Sequence, residues 1–374
     1  MNGDEILIKI KNFIKSQPVL VIAFLAALAT IFVIPPDSGY SSYVNRSVLI
    51  QLFCLMTAVG GFRSVGIFEK ATAVLLKKAG NIRRLGIIFT LICFFSSMLV
   101  TNDVALITFV PLTLMVFEKI NDEKSRILTI VLETAAANLG SMVTPFGNPQ
   151  NLYIYDKYKL TLGDFFGTML PAAAVSLVLL MLICMLLPKE KCQADSASAA
   201  AVPKAKTTVY CGLFIICLLT VFRVIPDWMC LIIAIVTALI CDRRLLLKVD
   251  YGLLATFVCF FVFVGNIARI EIVSSFISDI LQGKVVLISV ILSQVISNVP
   301  AAVMLSGFTE SGKELLLGVN LGGLGTIIAS LASLISFQYY RMSEGAKSAG
   351  YMGVFTAVNF GMLAVLAVFT FLYR

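Results

Sequence analysis

The chain has 374 residues, of which 59% are hydrophobic, with a mean hydropathy of +0.97, well above the roughly 45–50% apolar share of soluble domains. A soluble enzyme or nucleic-acid-binding domain is therefore excluded, and an all-α polytopic membrane protein is expected. The formal charge of +8 then becomes a question of which loops carry it, not of affinity for nucleic acid.

The sequence holds no His and nine Cys without metal-ligand spacing. Imidazole is thus absent from any mechanism, and the cysteines read as reduced packing residues, not as disulfides or zinc ligands. No G-x-S-x-G nucleophile motif is present either, so the chain is not expected to be an enzyme.

In chain order, an apolar run at 18–34 follows Lys9, Lys11 and Lys15. The excess of basic residues on cytoplasmic loops places the N-terminus inside, and the first helix is expected to remain in the membrane because no small-residue cleavage site follows it. A second crossing begins at 44–60, and Arg63, Lys70, Lys77, Lys78, Arg83 and Arg84 lie inside. The span 85–117 consists of two apolar stretches around Thr101-Asn102-Asp103. Loop charges alone fit either two full crossings or a re-entrant hairpin that opens inward; the repeat described below selects the hairpin. Lys119, Lys124 and Arg126 then lie inside, 127–152 crosses outward as a broken helix, and 165–187 returns. The Ala/Ser/Lys-rich stretch 188–207 reads as a flexible cytoplasmic linker between a first repeat at 1–187 and a second part at 208–374.

In that second part, crossings are expected at 209–224, 229–240 and 251–267. A hairpin at 284–308, with Ser297-Asn298 at its tip, opens outward. A broken helix at 314–335 and a last crossing at 350–373 follow. Arg243, Arg244, Lys248, Arg341 and Lys347 all fall inside, which gives nine full crossings and an external C-terminus.

The two parts repeat each other. VNRSVLIQLFCLMTAVG at 44–60 matches VDYGLLATFVCFFVFVG at 249–265, and NLGSMVTPFGNPQNL at 138–152 matches NLGGLGTIIASLASL at 320–334. Loop charges make the copies run in opposite directions, the inverted-repeat arrangement that underlies alternating access in transporters. Helix-breaking sequence within a membrane is tolerated where it lines a cavity or an ion path. Pro145 and Pro149 each remove a backbone donor and disfavour helix at the preceding residue, so Thr144 and Asn148 are expected to be non-helical with free carbonyls. The second break lacks proline, relies on Gly322, Gly323 and Gly325, and is expected to be softer.

Paired hairpins, each followed by an Asn-x-Gly helix break, resemble the citrate-transporter-like families of the ion transporter superfamily, which include divalent-anion/sodium symporters, arsenite permeases and sodium/proton antiporters. The resemblance spans nearly the whole chain and extends to bacterial inner-membrane permeases. It implies a homodimer with a fixed scaffold and an elevator-like transport part. The substrate is then a small inorganic or carboxylate anion coupled to Na⁺ or H⁺, with no other cofactor and no nucleic-acid partner. It assigns Thr101, Asn102 and Asp103 to the first hairpin tip and Ser297 and Asn298 to the second. The first break contributes Asn138, Gly140, Ser141, Thr144, Gly147, Asn148 and Asn151; the second contributes Asn320, Gly322, Gly323, Thr326, Ser330 and Ser333. Na⁺ is assigned to Asn102, Asp103, Asn138 and Asn148. Sodium-coupled dicarboxylate carriers have Ser-Asn-Thr at such tips, whereas the Asn-Asp here is more like the arsenite and sodium/proton branches.

Several residues carry two readings. Asp103 either binds a coupling cation or proton, because an acid in mid-membrane is tolerated mainly where it faces a cavity, or caps a helix starting at Val104. Glu133 is either a gate or proton relay or the ion partner of Arg63 or Arg269. Asn138 and Asn320 are either site residues or packing glue between helices. Arg63 and Arg269 either attract an anion or snorkel to the interface. A channel is the other class that shares such helix breaks.

Overall fold

The computed structural model describes residues 17–76, 79–120, 122–192 and 202–373. Lys9, Lys11, Lys15, Lys77, Lys78 and residues 193–201 of the expected linker lie outside the described residues.

The first part of the chain forms α1 (Pro18–Val33), α2 (Tyr40–Tyr43), α3 (Arg46–Ser64), α4 (Ile67–Leu76), α5 (Ile82–Ser97), α6 (Asn102–Ile120), α7 (Glu123–Ser141), α8 (Pro149–Lys157) and α9 (Leu162–Cys184). The remainder forms α10 (Lys204–Val221), α11 (Asp227–Cys241), α12 (Arg244–Leu247), α13 (Tyr251–Ala268), α14 (Glu271–Leu281), α15 (Val285–Ile296), α16 (Asn298–Leu305), α17 (Gly312–Leu321), α18 (Leu331–Met342) and α19 (Ser348–Tyr373).

Helix starts follow local chemistry. The side chains of Asn45, Asn81, Asp122 and Asp250 each accept the backbone N–H three residues on, satisfying a donor that the helix itself leaves free. Thr161 and Asp164 form a reciprocal capping box ahead of α9. Asn45 and Asp250 stand at matching places in the two aligned segments, so the same device starts α3 and α13.

By length and composition, α3, α9, α10, α13 and α19 can each cross a membrane among the described residues. α1 and α11 are apolar but shorter, and α14 with α15 would pass as one span except that they bend by 111°. The expected crossings at 127–152 and 314–335 are each split in two, at residues 142–148 and 322–330. The expected linker at 188–207 is not loose at its described ends. Asn81 and Lys191 form a β-bridge, the Glu190 carbonyl accepts from Ile82 N, and residues from Lys204 onward are already helical.

α7 sits at the centre, buried along nearly its whole length, with α5, α6, α9, α18 and α19 packed around it. The packing pairs recur between the two parts. α1 lies on α13 and α11 on α3; α5 lies on α7 and α15 on α17; α6 meets α18 and α16 meets α8. Close approach is made possible by small residues. A Cβ on Gly140 would press on the Phe94 carbonyl and Ser97 Oγ, and one on Gly322 would lie 2.7 Å from Ser293 Cβ. Each helix–turn–helix pair therefore rests almost directly on the backbone of its broken helix. All nine cysteines are free.

Candidate functional site

Both tight turns between paired helices are made by a residue that is not glycine. Thr101 has φ +31° and Ser297 has φ +76°, backbone conformations that L side chains rarely adopt and that cluster at functional sites. They start α6 and α16. The N-terminal ends of α6, α8, α16 and α18 all meet at one place, through Asn102, Asn148, Asn298 and Ser330.

A buried amide network joins three of these ends, and the fourth is held at the second break by the Asn298 N–H on the Ala329 carbonyl. Asn102 Nδ2 donates to Asn138 Oδ1 at 2.9 Å, and Ser330 Oγ donates to the same oxygen at 2.9 Å. Asn148 Nδ2 donates to Asn320 Oδ1 at 3.1 Å and to Ser141 Oγ at 3.2 Å. Asn320 Nδ2 returns a bond to Asn151 Oδ1 at 2.6 Å. Asn138 Nδ2 reaches the Gly323 carbonyl at 3.5 Å. A Cβ on Gly323 would lie 2.8 Å from Asn298 Nδ2, so that glycine makes room for the second tip. Five asparagines and two serines of the expected set thus converge from both parts of the chain. Ser333 lies buried nearby, and its hydroxyl has no hydrogen-bond partner.

The breaks are tied more closely than the sequence indicates. Thr144 Oγ1 donates to the Met98 carbonyl at 2.6 Å, and Thr326 Oγ1 donates to the Gln294 carbonyl at 2.9 Å. The residues between Ser141 and Pro149 are non-helical as expected, yet the Thr144 carbonyl is not free, because it accepts from Asn151 Nδ2 at 3.0 Å. Gly147 is required there, since a Cβ would strike the Ser141 carbonyl. The second break is not the softer one. Gly325, at φ +103°, turns the chain directly against the Gln294 side chain, which holds three carbonyls and the Thr326 N–H. Sequence reasoning missed Gln294; a single amide among apolar residues of α15 was its only signal.

A cavity of about 710 Å³ reaches Thr101, Asp103 and Asn148. Its apolar wall is α3, through Leu52, Leu55, Met56 and Val59, facing Val104 and Ile107 of α6. Arg63, Glu69, Lys248 and Asp250 also line it. Asp103 Oδ1 is buried without a hydrogen-bond partner, and the helix already begins at Asn102. Asp103 is therefore not a cap; Asn102 Oδ1 accepts the Asp103 N–H instead.

The opposite face of the network is shut. α16 packs on α13, where a Cβ on Gly307 would lie 2.5 Å from Val264 Cγ1. Tyr153 and Ser306 share a hydroxyl hydrogen bond of 2.7 Å, the Tyr153 ring packs against Phe257 and Phe261, and Tyr158 Oη donates to the Thr309 carbonyl at 2.8 Å. Arg223 adds a bond to the Tyr155 carbonyl at 2.8 Å.

Two ion-pair expectations are corrected. Glu133 pairs with neither Arg63 nor Arg269; fully buried in α7, its Oε1 accepts from Thr113 Oγ1 at 2.7 Å, with Cys93 Sγ at 3.7 Å. Arg269 instead binds Asp37 at 2.8 Å, outside the network, and donates to Tyr43 Oη at 3.0 Å. Arg63 is the member of that pair that reaches the cavity.

A family model described as "Citrate transporter" matches residues 6–311. An uncharacterized transporter of Methanocaldococcus jannaschii is 33% identical over 82% of this chain and 84% of its own length. The inner membrane protein YbiR of Escherichia coli is 29% identical over 84% and 85%, respectively. The silicon efflux transporter LSI3 of Oryza sativa is 32% identical over 43% of this chain and 33% of its own.

Proposed function

The chain belongs to the citrate transporter family, a family of multi-pass membrane transporters, and from that premise we propose that it carries a small inorganic or carboxylate anion across the inner membrane, coupled to Na⁺ or H⁺. The observation that carries this reading is the network that joins the first tip to both breaks, with the second tip bonded to the Ala329 carbonyl of the second break, beside a cavity that reaches Thr101, Asp103 and Asn148. Four helix N-termini at one point offer N–H groups and positive dipole ends to an anion. Asp103, unpartnered at the cavity edge, is the group placed to take the cation.

The paired packing of the two parts and the opposed loop charges support an inverted repeat with two re-entrant hairpins and the N-terminus inside. On this reading α1–α3 and α10–α13 form the scaffold of a homodimer, and the hairpins with α7–α9 and α17–α19 slide past it as an elevator. Arg63 and Lys248 line the cavity, and basic residues favour the cytoplasmic side; this supports reading the arrangement as inward-open, with Tyr153, Ser306, Phe257 and Phe261 closing the outer side.

The test is purified protein in liposomes, offered citrate, dicarboxylates, sulfate, phosphate, arsenite and silicic acid under imposed Na⁺ and pH gradients. Saturable, gradient-driven accumulation of one of them is expected. A second reading, a Na⁺/H⁺ antiporter or arsenite-type permease working through Asp103, is favoured by the three carboxylates Glu69, Asp103 and Asp250 in a cavity with two basic residues. PH changes that follow added Na⁺, with no anion moved, would select the antiporter.

A further inference from the structure

Each break ends a helix inside the protein, and the last carbonyls of a helix carry partial negative charge that no backbone N–H satisfies. At the first break, Asn151 Nδ2 lies 3.3, 3.3 and 3.0 Å from the carbonyl oxygens of Ser141, Met142 and Thr144, the last of which also accepts from the Gly147 N–H at 3.3 Å. At the second, Gln294 Nε2 lies 2.9 and 3.0 Å from those of Gly322 and Leu324; it is also 3.1 Å from that of Val290 in its own helix, outside the break. Several carbonyl oxygens converging on one point is the arrangement that hard cations use. Here the point is held by a nitrogen carrying two hydrogens.

The orientation of each amide is fixed by its own oxygen. Asn151 Oδ1 accepts from Asn320 Nδ2 at 2.6 Å, and Gln294 Oε1 accepts from the Thr326 N–H at 2.8 Å. Turning either amide over would set oxygen against carbonyl oxygen and N–H against a donor. The two amides also come from unrelated places, Asn151 from the half-helix after its break and Gln294 from the helix before the hairpin turn. In the sequence repeat, Ser333 stands where Asn151 does and Met98 where Gln294 does, and neither can supply an NH₂ group. The same arrangement is thus built twice by different means, which duplication alone does not produce.

We infer that Asn151 and Gln294 are internal substitutes for a cation: their NH₂ groups fill the carbonyl clusters of both breaks, so that neither break binds Na⁺ and the site holds its shape without it. This deepens the transporter reading and takes its meaning for transport from it, but its test needs no substrate. Binding of radiolabelled Na⁺ to the purified protein is measured beside thermal unfolding in sodium and in choline chloride. The wild type is expected to show no saturable Na⁺ binding at the breaks and the same melting temperature in both salts. Gln294→Glu and Asn151→Asp, which set carboxylate oxygen against the carbonyls, are expected to lose stability in choline chloride and regain it in sodium chloride. Saturable wild-type Na⁺ binding that persists in Asp103→Asn overturns the inference, as do variants that melt like the wild type in choline. If the variants do not fold in either salt, the wild-type binding and melting curves decide alone. A failed anion screen with this outcome intact would remove the transport reading and leave the two amides as assigned.

Discussion

Asn320 bonds both Asn148 and Asn151, accepting from the first at 3.1 Å and donating to the second at 2.6 Å. One side chain of the second break therefore holds two of the first, and this is where the two parts of the chain are tied together at the site. Asn320→Ala removes the donor to Asn151 Oδ1 and leaves Asn148 Nδ2 with Ser141 Oγ alone, at about 1–3 kcal/mol for the unpaired buried oxygen. A lower melting temperature in detergent is expected, together with loss of uptake; Asn320→Ala with wild-type melting and uptake would show that the bridge is dispensable.

Gly140 leaves no room for a side chain, because a Cβ would meet the Phe94 carbonyl, which cannot move without its helix. Gly140→Ala should destabilise by about 1–3 kcal/mol through this overlap. Gly353 in α19 faces open space, so Gly353→Ala should be neutral or should stabilise by up to about 1 kcal/mol. Melting curves of the two variants, compared side by side, check the contrast.

Thr101 is a β-branched residue at φ +31°. Thr101→Gly removes that strain and is expected to stabilise the fold by about 1 kcal/mol, read as a raised melting temperature. If the strained tip is part of the site, uptake falls in the same variant although it is the more stable protein.

Asp103 Oδ1 makes no hydrogen bond, so Asp103→Asn should leave melting close to that of the wild type. What it should remove is accumulation against a gradient, with exchange of anion across the membrane retained. Concentrative uptake by the variant equal to wild type would take the coupling role away from this residue.

The Arg269 guanidinium beside Asp37 holds that carboxyl below the usual carboxylate range, helped by the backbone N–H of Gly39. A carboxylate whose folded value is depressed adds stability that is present above its unfolded value, about 3.9, and is lost as pH falls through the folded one. The pair is exposed, so the effect is small. Melting measured from neutral pH downward should show a slightly shallower acid decline in Asp37→Asn than in the wild type.

The breaks were legible because glycine, proline and asparagine in apolar sequence have few other physical uses, and the family resemblance assigned Asn138, Asn148 and Asn320 to them; that these side chains bond one another is visible only in the fold. Less was readable where a residue's role depends on what it touches across the fold. Gln294 looked like any isolated polar residue on an apolar helix. Glu133 gave no sign that a threonine and a cysteine, not an arginine, would face it. The difference between the two faces of the network left no trace either, because the same aligned helices pack closely on one side, at Gly307 and Val264, and stand apart on the other.

Ser97 against Gly140 and Ser293 against Gly322 set each hairpin on its broken helix with no compressible layer between them. Such a joint cannot flex without breaking backbone contact, so on the elevator reading proposed above the recognition surface would keep one shape wherever the moving body stands. Discrimination among solutes would then be the same for influx and efflux, and the direction of net flow would be left to the gradients alone.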